Sequence, residues 1–155
     1  KAAATGIALM EAYDTSAASD TARLVNISAR SQVGTGGDIL IAGFVVSGNV
    51  NKRVLIRGVG PALTQFGVGG VLADPQLALY RQGASSPMDQ NDNWLTATNA
   101  PQVGLVAGQV GAFALAPNSR DAALLVTLEP GAYTAQLTGP GGASGNALIE
   151  VYEVP

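Results

Sequence analysis

Glycine and proline break this chain so often that a long helix has little room to form: twenty Gly and eight Pro fall among 155 residues. In a helix interior Gly costs about 1 kcal/mol and Pro about 3 kcal/mol relative to Ala. Both suit the turns between short strands. Between these breakers lie runs rich in Val, Ile, Leu, Tyr and Thr with partial alternation: Ile7–Asp14, Arg23–Ser31, Asp38–Ser47, Arg53–Val59, Gln76–Arg81, Ala122–Glu129, Ala132–Thr138 and Ala147–Val154. Each reads as a strand. The run from Ile39 to Val46 is apolar on both faces and reads as a central strand.

The connectors carry turn chemistry. Gly34–Asp38 and Gly139–Gly142 supply positive φ cheaply, and Glu129-Pro130-Gly131 reads as a turn between two strands. Pro61–Phe66 suits one helical turn with Pro61 at its first position, and Gln102–Gln109 is a second helical candidate weakened by Gly104 and Gly108. With no strand–helix–strand rhythm, the expected fold is all-β: an antiparallel, jelly-roll-like β-sandwich with one or two short helical turns. The length suits one domain. Residues 21–155 form the expected sandwich, and residues 1–20 a separate strand segment.

Composition narrows function. The chain has no His and no Cys, which removes disulfides, thiolate chemistry, His-ligated metals and any mechanism with His as base. Charged residues are 12% and the net charge is −3 with no basic cluster, so nucleic acid has no electrostatic footing. No apolar run is long enough to span a bilayer as a helix. The chain begins at Lys1 without Met and shows no apolar leader, so it reads as a mature or excised piece. These features point away from an enzyme.

The most informative pattern joins the two ends. Ala4-Thr5-Gly6-Ile7-Ala8-Leu9-Met10-Glu11-Ala12-Tyr13-Asp14 returns as Ala143-Ser144-Gly145-Asn146-Ala147-Leu148-Ile149-Glu150-Val151-Tyr152-Glu153, identical at six of eleven positions. Three readings follow. Both copies sit in one sandwich by pseudo-symmetry; the chain is one period of a tandem array; or one copy leaves its subunit and fills a strand position in a neighbour. A contact of the last kind is heterologous and propagates as a filament. The expected junction residues are Gly6, Ile7, Leu9, Met10 and Tyr13 at one end, and Gly145, Leu148, Ile149 and Tyr152 at the other. A low-charge surface with only Lys1 and Lys52 to guard strand edges suits association.

Other motifs are weaker. Asp89, Asn91 and Asp92 begin like a calcium loop, but Trp94 stands where that loop has Gly and Ala100 where it has Glu; the plainer reading is an Asx-rich turn anchored by Trp94. Gly34–Gly37, Gly58–Gly60 and Gly67–Gly70 lack the Lys-Ser/Thr of a phosphate loop and read as turns. Arg23, Arg30, Arg53 and Arg57 suit ion pairs with Glu11, Glu150 or Asp74, or an anionic sugar. Glu11 and Glu150 at matched positions suggest a hydrolytic carboxylate pair, but the repeat explains both without catalysis.

Taken together, Arg23–Arg30, Val33–Gly36, Ile41–Phe44, Arg53–Leu63, Leu72–Pro75, Asn91–Trp94, Pro130–Ala135 and Gly145–Tyr152 resemble a repeat module of large secreted or surface proteins of environmental bacteria, of the Verrucomicrobia and Acidobacteria type. The Pro130–Thr134 turn and closing strand are also similar to bacterial pre-peptidase C-terminal domains. The resemblance implies export and a β-sandwich and carries no site residues. The expectation is therefore a structural subunit or repeat module of an extracellular or cell-surface fibre, associating with copies of itself or with neighbouring repeats, without cofactor, nucleic acid or membrane insertion. The alternative is a secreted module binding surface glycans or calcium.

Overall fold

The computed structural model describes residues 6–15 and 23–155. Its strands are β1 (Asn26–Val33), β2 (Leu40–Val46), β3 (Lys52–Val59), β4 (Gln76–Arg81), β5 (Asp89–Asn91), β6 (Ala122–Leu128), β7 (Gly131–Thr138) and β8 (Gly145–Glu153). One sheet has the order β1-β8-β3-β6 and the other β2-β7-β4-β5. The antiparallel partners β1 with β8, β2 with β7, β3 with β6 and β4 with β5 are those of a jelly roll. The all-β sandwich read from the sequence is the fold.

Both faces of β3, β6 and β8 in the first sheet are covered. Its inner face packs on the second sheet through Val54, Ile56, Ala122, Leu124, Ala147, Ile149 and Val151, against Leu77, Leu79, Tyr133, Ala135 and Leu137. Its outer face carries Leu55, Ala123, Leu125 and Tyr152 beneath Trp94 and helix α1 (Ala100–Gln109), which contributes Val103, Val106 and Ala107. Double coverage explains why β3, β6 and β8 are apolar on both faces. The expected helical segments both form, Pro61–Phe66 as a 3-10 helix with Pro in its first turn and Gly67 closing it at φ 75°.

Three expectations are corrected. The Ile39–Val46 run is the edge strand β2, not a central one, and its outward residues Ile41 and Val45 are exposed; an apolar run records two apolar faces, not a neighbour on each edge. Gly58 is inside β3 rather than in a turn, and Leu137 of the facing sheet occupies the space a side chain there would need. The Ile7–Asp14 segment lies outside both sheets and has no strand assignment among the described residues. Extended backbone becomes a strand only when another strand satisfies its N–H and C=O groups. Residues 1–5 and 16–22, which include much of the expected 1–20 segment, lie outside the described residues. Among the described residues no helix is long and apolar enough to cross a membrane.

Candidate functional site

The duplicated sequence has two environments. β8 is an inner strand, antiparallel to β1 on one side and β3 on the other. Gly145 is required there, because the backbone of Leu72 passes where a Cβ would stand. Leu72 N–H donates to Asn146 O at 2.9 Å, and Asn146 N–H to Gly70 O at 2.7 Å. Ala147, Ile149 and Val151 enter the core between the sheets, while Leu148, Glu150 and Tyr152 lie on the outer face. Of the expected junction residues, Gly145, Leu148, Ile149 and Tyr152 are thus tied into a strand paired on both edges.

At the centre of β8, Glu150 stands opposite Arg57 of β3. The pair is buried, with Arg57 Nε 3.2 Å from Glu150 Oε2. Arg57 Nη1 donates to Phe113 O at 2.8 Å, and its guanidinium lies 4.3 Å from the centre of the Phe113 ring. Burial pulls the Arg57 pKa down, opposed by the charge of Glu150. Tyr152 Oη donates to Glu150 Oε1 at 2.7 Å. Burial first, and that bond second, push the Tyr152 phenol up to about 12. Of the cation partners foreseen for Glu150, Arg57 is the one it meets; Asp74 pairs with Arg120 and Arg23 with Glu153.

The N-terminal copy keeps the local geometry and lacks the surroundings. Tyr13 Oη donates to Glu11 Oε1 at 2.8 Å, the same two-residue spacing as Tyr152 to Glu150. Residues two apart share a face in extended backbone, and in both copies the tyrosine and glutamate meet at that spacing. At Gly6 the place of a Cβ is open, and Ile7, Leu9, Met10 and Tyr13 are all exposed. Asp14 Oδ2 accepts Leu24 N–H at 3.0 Å, fixing where the segment leaves the sandwich. The two glutamates share no site: Glu150 is buried against Arg57, and Glu11 is in solvent.

The Asp89–Trp94 segment works as an edge cap. Asn91 ends β5, its Oδ1 accepts Ala123 N–H of β6 at 3.0 Å, and its Nδ2 donates to Asn93 O at 3.0 Å. Asn99 Nδ2 donates to Leu125 O at 2.8 Å, so two side chains satisfy the outer edge of β6. Asp89 Oδ1 accepts the N–H of Gln90 at 2.8 Å, Asp92 is exposed, and Trp94 is buried with its Nε1 donating to Ala116 O at 3.0 Å. The Asn91 oxygen serves Ala123 N–H, and among the described residues no group of three acidic side chains is placed together.

One buried carboxylate escaped the sequence reading. Asp121 accepts Gly60 N–H at 2.7 Å, Ala62 N–H, and the Ser119 hydroxyl, and so anchors the start of the Pro61–Phe66 turn. Lying 61 residues from Gly60, it offers no local signal.

No family model matches the chain, and no curated protein matches it. One solved structure is similar: the pre-peptidase C-terminal domain of collagenase from Bacillus anthracis, 13% identical, with a TM-score of 0.49, covering 82% of this chain and 89% of that one. The sandwich described above rests on its own strand pairing.

Proposed function

We propose that the chain is a non-catalytic structural subunit of an extracellular or cell-surface bacterial fibre, joined head-to-tail by strand addition with Gly6–Asp14 as the donor. One observation carries this reading. Ile7, Leu9, Met10 and Tyr13 are 89%, 84%, 74% and 76% exposed, on a segment whose twin is a fully paired inner strand. Burying a large apolar side chain contributes about 1.5–3 kcal/mol, so solvent is an unfavourable resting place for this run. The junction would supply main-chain hydrogen bonds and bury the inward-facing side chains of the run. The same contact serves separate copies and successive units of a tandem protein.

Negative-stain electron microscopy of the purified chain tests the proposal. Filaments that repeat at about one domain length, lost in Met10→Asp while the thermal midpoint stays put, are the expected result. A uniform population of monomers at high concentration would overturn it. The glycan- and calcium-binding alternative predicts monomers stabilised by ligand.

A further inference from the structure

We infer that the acceptor for Gly6–Asp14 is the open edge of β1 in a second copy, in the register that sets Glu11 opposite Arg30; this rests on the strand-addition reading above and names its partner surface.

The sandwich has two sides where sheet edges meet. At one, β5 is only three residues long, and β6 is capped by Asn91 and Asn99. Short strands and side-chain caps are ways of closing an edge. At the other side β1 and β2 end their sheets. There Ile27, Ala29, Leu40, Ala42 and Phe44 reach the core but are only partly buried. A further strand on this side would complete the burial of these residues.

Backbone phase selects the register. Glu153 N–H donates to Val25 O at 2.8 Å, and Asn26 stands opposite Tyr152. Antiparallel hydrogen bonding alternates, so Ile27, Ala29 and Ser31 turn their backbone groups toward β8. Ser28, Arg30 and Gln32 turn theirs toward the open edge. On the other side of β8, Val154 N–H donates to Arg53 O at 2.9 Å, which makes Glu150 and Arg57 a hydrogen-bonded pair by the same alternation. A donor strand with Glu11 opposite Arg30 reproduces that pair type. β1 then stands to the donor as β3 stands to β8.

The side chains agree with this phase. Arg30 shares the outer face with Glu150, as its neighbour Ser28 lies opposite Glu150. It is exposed and has no ion-pair partner among the described residues. The register puts Glu11 and Tyr13 on that outer face, as Glu150 and Tyr152 are. It turns Ala8, Met10 and Ala12 inward, as Ala147, Ile149 and Val151 are, so Met10 is the large apolar side chain that the junction buries, while Ile7 and Leu9 lie with Tyr13 on the outer face. β2 offers Glu11 no cation, since Leu40–Val46 has no charged residue. A second copy is the occupant because, among the described residues, a single copy pairs neither half: its own segment is in neither sheet and β1 ends its sheet.

The chain has no cysteine, so introduced thiols report without background. In this register Met10 faces Ser31 in a non-hydrogen-bonded pair, the closer kind. Full-length Met10→Cys and Ser31→Cys chains, mixed and oxidised, should give a disulfide-linked heterodimer. The double variant should give a covalent ladder within filaments, and the one-residue-slipped pair Leu9→Cys with Ser31→Cys should not. Glu11→Lys or Arg30→Glu alone should weaken assembly about two- to five-fold, the scale of an exposed ion pair, and the two together should restore it.

Filaments without the Met10–Ser31 crosslink would place the junction at another edge and sink this inference alone. Absence of both filaments and crosslink would sink the strand-addition reading with it. A double variant that closes only within one chain, with the mixed single variants silent, would make the segment a hairpin on its own β1 and overturn both.

Discussion

β8 and the Gly6–Asp14 segment are close to the same sequence in opposite circumstances, and their differences isolate what neighbours contribute. Both keep the tyrosine-to-glutamate hydrogen bond at two-residue spacing, 2.7 Å in β8 and 2.8 Å in the segment. That bond is therefore local. What β8 has besides is a cation opposite its glutamate, two strands along its backbone and a core beneath Ile149. Local sequence sets an extended shape; ladder partners turn the shape into a strand. The end segment retains strand chemistry that its own subunit does not use.

The largest way to break the comparison is to remove the cation. Arg57→Ala leaves Glu150 buried without its counter-charge and should cost about 3–5 kcal/mol, since breaking a buried pair strands the other ion. Arg30→Ala, at the corresponding place on β1, should change the monomer's stability by less than about 0.5 kcal/mol. Chemical denaturation of the two variants under dispersing conditions checks both. Ile149→Ala empties a core position and should cost about 2–5 kcal/mol. Its twin Met10→Ala should be neutral in monomers and felt only in assembly. Equal losses for both members of either pair would mean the segment is already packed in the monomer.

A smaller effect tests the closed side of the sandwich. Asn91→Ala leaves Ala123 N–H without its acceptor and should cost about 1–3 kcal/mol. If the side chain is an edge cap, that loss is the same with and without calcium. A loss that appears only with calcium present would instead make Asn91 a ligand.

The sandwich was legible because its strands are short, alternating and set off by turn residues, as in Arg53–Val59 and Ala132–Thr138. The breakers that end each run are local signals. Which strand lies at an edge was not legible: Ile39–Val46 looks central, but edge position depends on the order of strands in space. The duplication was visible letter by letter, while the faces of its residues emerged only from β8, where Ile149 is inward and Leu148 outward. Arg57 could be named as a partner for Glu150, yet so could three other arginines, because cross-strand register is a long-range property. Asp121 and the Asn91 cap answer to backbone groups distant in sequence, so no motif announces them.

Protonation gives the finest comparison. Tyr152 titrates at about 12 rather than 10 because burial, and then the Glu150 bond, favour the neutral phenol. A pKa raised by folding contributes stability in full below the unfolded value, and the contribution drains away as pH climbs through the folded one. Stability should therefore fall between pH 10 and about 12, and Tyr152→Phe should flatten that fall. Tyr13 is also raised, first by its bond to Glu11, but without any burial to couple its proton to folding. Tyr13→Phe should thus leave the alkaline unfolding curve of the monomer unchanged while removing one phenol from the absorbance titration. If Tyr13→Phe moved the unfolding curve as Tyr152→Phe does, the end segment would be part of the folded unit, and the contrast between the two copies would fail.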